Sequence, residues 1–139
     1  MIAIADTSFV VAVSISTDRR HLDCLRVYQQ QDKILLPEAA LAEIAFMLTR
    51  AGGTRASPYF LRGLFSARRY EVTQLVPQDF LRTAEILEKY SDLRLDFVDA
   101  TIAALAERLQ VKRILTLDQR DFQILRPNHI DHFELLPSP

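Results

Sequence analysis

The 139-residue chain has a single cysteine, Cys24, so an intramolecular disulfide is excluded. Between Leu22 and Leu25 in a helical pattern, that thiol reads as buried and inert. A lone cysteine fits the cytosol. No basic stretch precedes the first apolar run, and Asp6 interrupts that run, so no signal peptide is expected and the expected location is cytoplasmic. No run of 18 apolar residues occurs, and no transmembrane helix is expected. The only glycines, Gly52, Gly53 and Gly63, do not form a phosphate-cradling loop. His21, His129 and His132 make no HExxH pair, and the latter two are expected to be exposed near the last strand. Ser8 lacks a histidine to activate it, and Cys24 lacks an orienting partner. An excess of charge is also missing: 17 basic against 18 acidic residues leave a net −1, which alone points to no nucleic-acid partner.

What is present is hydrophobic, at 49% of residues, and a chain this long can bury a full core; residues 1–139 are expected to form one domain. Met1-Ile2-Ala3-Ile4-Ala5 is a short continuous apolar run, the mark of a strand buried on both faces of a parallel sheet. Thr7 or Ser8 is expected to cap the helix that follows from Phe9. A second helix from Thr17 or Asp18 passes through Leu22, Leu25 and Tyr28, and a second strand covers Lys33 to Pro37. Pro37 and Glu38 open a helix that Gly52-Gly53 stops, and Ser57-Pro58 opens another ending near Arg69. Further strands are expected over Glu71–Val76, Arg113–Asp118 and His132–Leu136, and further helices over Pro77–Tyr90 and Leu95–Leu109. Strands alternating with helices imply an α/β fold with a central parallel sheet and helices on both faces.

Four carboxylates stand out. Asp6 ends the first strand, and ligands of open α/β sheets bind at carboxyl ends of strands. Glu43 is the one polar residue from Ala39 to Leu48, so it projects from an apolar face where an unpaired charge would be costly, unless it snorkels to solvent or pairs with an arginine. Asp99 lies inside the apolar run Phe97 to Ala106, whereas Asp96, just ahead of it, suits a helix cap. Asp118 ends a second strand, with Asp121 in the turn beyond. Carboxylates meeting at one sheet edge require a cation, and an all-oxygen donor set favours Mg²⁺ or Mn²⁺ over Zn²⁺. With those four acids as ligands, 17 basic residues face 14 acidic ones, a balance that tolerates a polyanionic substrate.

The stretches Ile4-Ala5-Asp6-Thr7-Ser8, Glu43 in its apolar helix, Val98-Asp99-Ala100-Thr101-Ile102-Ala103-Ala104 and Leu115-Thr116-Leu117-Asp118-Gln119-Arg120-Asp121-Phe122 together resemble the PIN domain, and within it the VapC-type toxins of bacterial toxin–antitoxin pairs. The resemblance spans nearly the whole chain. It implies an α/β/α sandwich and a Mg²⁺-dependent endoribonuclease, with Asp6, Glu43, Asp99 and Asp118 as the metal-site acids. It further implies an accessory role for Asp121 and hydroxyls near the site from Thr7, Ser8 or Thr116. An RNA substrate and a cognate antitoxin protein are the implied partners.

Arginines form two groups, Arg55, Arg62, Arg68 and Arg69, and Arg19 and Arg20 beside His21; each is a candidate RNA contact and equally an ordinary solvated face. Tyr59, Phe60, Leu61, Leu64 and Phe65 exceed one narrow core stripe, and an exposed remainder would suit a homodimer or an antitoxin helix. The rival reading is a non-catalytic α/β module binding a phosphorylated ligand or a protein partner. A phosphatase with Asp6 as nucleophile wants Asp two positions later, where Ser8 stands. A phospho-receiver wants a Lys after a late strand, where Asp118 and Gln119 stand.

Overall fold

A computed structural model of the chain describes residues 1–66 and 68–139. Five parallel strands, β1 (Ile2–Ala5), β2 (Lys33–Pro37), β3 (Tyr70–Thr73), β4 (Arg113–Leu115) and β5 (Glu134–Leu136), form one sheet in the order β3-β2-β1-β4-β5. β1 is central, with Ile4 opposite Leu35 on one side and Ile114 on the other. Side chains alternate across a strand. Ala3 and Ala5 therefore enter one core layer, with Phe9, Cys24 and Ile44 of helices α1 (Thr7–Ser14), α2 (His21–Gln30) and α3 (Leu41–Gly52). Ile4 enters the other, with Ile86, Ile102 and Phe122 of α5 (Pro77–Lys89), α6 (Phe97–Leu109) and α7 (Arg120–Ile124). Helix α4 (Ala56–Gly63) follows α3 on the first layer. This is the expected α/β/α sandwich. Burying each large side chain such as Ile4 or Ile114 contributes roughly 2 kcal/mol.

Helix α6 is buried from Ala100 to Ala106 without a break. Its alanines let it approach the sheet and α5 closely. Two ion pairs fasten α5 to α6: Arg108 Nε donates to both Asp79 oxygens at 3.0 Å, and Arg82 holds Glu107 at 2.7 and 3.0 Å. Among the described residues no helix is long and apolar enough to cross a membrane.

Several boundaries differ from expectation, each for a local reason. The N-cap of α1 is Asp6 rather than Thr7 or Ser8, because β1 ends at Ala5 and Thr7 is already helical. Helix α2 starts at His21, since Asp18 Oδ1 accepts the Arg20 N–H at 2.8 Å and makes residues 18–20 a turn. A 3₁₀ turn, Glu38–Ala40, separates β2 from α3, and Gly53 stops α3 with φ 84°. The third strand ends at Thr73 because Val76 N–H turns to Asp79 Oδ2, 2.9 Å away, at the head of α5. β4 stops at Leu115, and β5 spans only Glu134–Leu136. The helix expected through Arg69 ends at Gly63, and its further course crosses Ala67, which lies outside the described residues.

The chain adds β2 and β3 on one side of β1, then crosses to place β4 on the other. The direction of winding reverses between β1 and β4, and a crevice opens at the carboxyl ends of strands at such a point. Asp6 follows β1 there, and Asp118 lies three residues beyond the end of β4.

Candidate functional site

At that reversal lies a cavity of about 330 Å³ whose wall includes Asp6, Glu43, Asp99 and Asp118. Asp6 comes from the β1–α1 junction, Glu43 from the first turn of α3, Asp99 from the first turn of α6 and Asp118 from the loop after β4. Thr7, Ser8, Asp18 and Asp96 line it too.

Asp6 is the fixed member, 5% exposed. Its Oδ1 accepts the Ser8 hydroxyl at 2.7 Å and the Phe9 N–H at 3.2 Å, and its Oδ2 accepts the Thr116 hydroxyl. Both hydroxyls are themselves oriented by the chain after β4: Ser8 Oγ accepts Leu117 N–H, and Thr116 Oγ1 accepts Asp118 N–H, each at 3.0 Å. The backbone adds a third tie, Asp6 N–H to Leu115 O at 3.1 Å. The expected accessory hydroxyls of Ser8 and Thr116 thus act on Asp6. Thr7 Oγ1 is buried in the cavity wall without a hydrogen-bond partner.

Burial pushes the Asp6 carboxyl up to about 6; the bonds from Thr116, Ser8 and Phe9 oppose the shift, and the charge of Asp118 adds to it. Asp99 rises further, to about 8, first by burial and then through the charges of Asp96, Asp6 and Asp118. Both carboxyls therefore ionise less readily than a free aspartate.

Glu43 reaches solvent: the flank of α3 that carries it with Phe46 and Met47 is exposed, while Ile44 and Leu48 of the same helix fill the core. Asp118 is exposed as well. The acids line one cavity without being drawn together: among the described residues no three His, Cys, Asp or Glu side chains are grouped as ligands of one ion. Asp121 sits in the first turn of α7 and is not part of the cavity wall.

The donor chemistry nevertheless fits a hard divalent cation. Carboxylates dominate the polar wall, Thr7 offers an unpartnered hydroxyl, and a cation would offset the burial and like charge that raise Asp6 and Asp99. Asp96 caps α6 as expected, accepting the Asp99 N–H at 2.9 Å, yet the same geometry brings it into the cavity wall. Asp18 has no sequence signal, being one polar residue in a polar loop. Of the two arginine groups, Arg20 pairs with Asp23, Arg69 donates to the carbonyls of Tyr28, Gln29 and Gln31, and His21 bonds Ala12 O.

A model of the PIN domain family matches residues 3–126. Ribonuclease VapC26 of Mycobacterium tuberculosis is 28% identical over 137 residues, covering 96% of this chain and 99% of that protein. Among solved structures, M. tuberculosis VapC20, described as a Sarcin-Ricin loop cleaving toxin, superposes with a TM-score of 0.73 at 22% identity, over 81% of this chain and 86% of its own. A toxin–antitoxin complex from Klebsiella pneumoniae gives a TM-score of 0.61 at 15% identity, over 86% of this chain and 89% of its own.

A pH dependence follows from the two raised carboxyls. The unfolded chain ionises both near their ordinary 3.8, while the folded chain keeps its protons to about 6 and about 8. The native state then binds more protons across that window, so stability of the metal-free protein falls as pH rises from about 4 to about 8. Urea titrations in EDTA should show this fall, and Asp99→Asn should remove much of it. An Asp99→Asn protein whose stability has the same pH slope as the parent would contradict the assignment.

Proposed function

This chain belongs to the PIN domain family, and on that premise we propose that it is a divalent-metal-dependent endoribonuclease and the toxin of a toxin–antitoxin pair. The observation that carries the reading is the convergence of Asp6, Glu43, Asp99 and Asp118, from four separate elements, on one cavity at the sheet's reversal point. The names of its relatives, a ribonuclease and an RNA-loop-cleaving toxin, support the substrate class.

Asp6, Glu43, Asp99 and Asp118 would hold Mg²⁺ or Mn²⁺, with Asp6 as the rigid anchor. When bound, the ion supplies positive charge against the scissile phosphate and its developing negative charge. The Ser8 and Thr116 hydroxyls hold both Asp6 oxygens in place. An acid of this set would orient or deprotonate the attacking water. Water attack on phosphorus, with the bond to the 3′ oxygen breaking, leaves a 3′-hydroxyl and a 5′-phosphate. Glu43 and Asp118, both exposed, stand where the substrate enters and complete the charge of the set.

The test is cleavage of structured RNA in Mg²⁺, with EDTA as blank and circular dichroism to confirm folding. Asp6→Asn, Glu43→Gln, Asp99→Asn and Asp118→Asn should each lower the rate by roughly a hundredfold or more. Asp92→Asn, exposed in the α5–α6 loop, should cut like the parent. Four variants cutting at the parental rate would remove these residues from the mechanism.

The antitoxin surface we assign to α4 and the segment after it. Phe60 and Leu64 pack into the core, but Tyr59 and Phe65 are 84% and 81% exposed. Beside them a cavity of about 510 Å³ opens among Ile15, Leu48, Phe60 and Tyr70, whose hydroxyl is buried without a partner. An amphipathic antitoxin helix would cover the aromatics and present an acceptor to Tyr70. A second apolar patch, Phe80 and Leu81 on α5 in the opposite layer, suits pairing of two copies. Tyr59→Ser with Phe65→Ser should weaken antitoxin binding at least tenfold by calorimetry and leave RNA cleavage intact. Unchanged antitoxin affinity would sink the assignment.

A further inference from the structure

The cavity raises an electrostatic problem that its carboxylates cannot solve. Six acids line it, namely Asp6, Asp18, Glu43, Asp96, Asp99 and Asp118, and an RNA strand arriving there is itself a polyanion. Cations beyond the metal site must offset that field, and only nearby ones count, because charges more than about 8 Å away are largely screened at physiological salt.

Eight of the 17 cations are already engaged. Arg82, Arg108 and Arg113 pair with Glu107, Asp79 and Glu134. Arg20 and Arg26 share Asp23, and Lys33 pairs with Glu71. Arg69 and Arg126 donate to backbone carbonyls. Lys112 is exposed and has no ion pair among the described residues, but it lies at the amino end of β4. A strand as long as β1 spans about 13 Å, so that edge is more than a screening length from the cavity.

Arg50, Arg55, Arg62, Arg68 and Lys89 are exposed as well, but the exposed arginines within two residues of a wall acid are Arg19 next to Asp18, Arg94 two residues before Asp96, and Arg120 two residues after Asp118. None has a salt-bridge partner among the described residues. They come from three different loops: the α1–α2 loop, the α5–α6 loop and the start of α7. Each of these segments thus carries an exposed arginine within two residues of an acid of the wall.

We infer that Arg19, Arg94 and Arg120 form a cationic rim that grips the RNA backbone phosphates flanking the scissile bond. The inference rests on the nuclease reading and deepens it by naming the substrate-positioning groups. Guanidinium groups suit phosphates because their donors form a planar fork. Such contacts position the strand without reading its bases. They also answer the opposing charges: the wall keeps its acids for chemistry, while the rim supplies attraction at its edge.

Steady-state cleavage of an RNA hairpin in Mg²⁺ across a KCl series tests this. Arg19→Ala, Arg94→Ala and Arg120→Ala should each raise KM roughly fivefold, leave kcat within about twofold, and reduce the slope of log KM against log salt by about 0.7. The triple variant should lose about 2 from that slope. Lys112→Ala should match the parent. If the parent cleaves RNA and the arginine variants keep its KM and salt slope, the rim assignment is overturned and the nuclease reading stands. If the parent cleaves no RNA, the nuclease reading fails and the rim with it.

Discussion

The Asp6 carboxylate is gripped from both sides of the gap where the sheet reverses its winding. Its own helix supplies the Phe9 N–H and the Ser8 hydroxyl, and the chain after β4 supplies the Thr116 hydroxyl. Ser8 and Thr116 relay backbone N–H groups of Leu117 and Asp118 onto the same carboxylate. The central strand, the first helix and the loop that carries a second acid are thereby locked in one register. Losing Asp6 would leave two hydroxyls and a helix end without partners, and an unsatisfied buried polar group costs about 1–3 kcal/mol.

Opposing electrostatic terms shape the rest of the cavity. Hydrogen bonds favour the ionised Asp6, while burial and the neighbouring carboxylates oppose it, and burial wins. Asp99 has less help and more like charge nearby, so it holds its proton more tightly. Glu43 and Asp118 escape the conflict by staying in water. A divalent ion would reverse the balance for the buried pair. The two exposed acids can close on it without first paying for desolvation.

The sequence revealed this arrangement unevenly. The apolar run ahead of Asp6 was legible because a strand buried on both faces admits few polar residues, and the same logic exposed Asp99 inside α6. At Glu43 the sequence left two readings open, a buried metal-site acid or a carboxylate reaching solvent, and the side chain is exposed beside Phe46 and Met47. Periodicity cannot distinguish a core face from an uncovered one. The α1 cap was assigned to Thr7 or Ser8 because a strand end and a helix start shared one residue, Asp6, that does both jobs. Asp18 was invisible, since only the tertiary fold carries its loop to the cavity. The choice of Asp96 as a cap was sound locally, yet the cap also lies in the wall, because the first turn of α6 points at the sheet's carboxyl edge.

All of this depends on the four carboxylates taking up a divalent ion together. The most direct measurement is anomalous diffraction from crystals soaked in Mn²⁺. The account predicts a peak within coordination distance of Asp6 Oδ and of carboxylate oxygens from at least two of Glu43, Asp99 and Asp118, and its loss in Asp6→Asn crystals. Well-diffracting crystals with no Mn²⁺ in this cavity, or with Mn²⁺ bound only elsewhere on the surface, would contradict it.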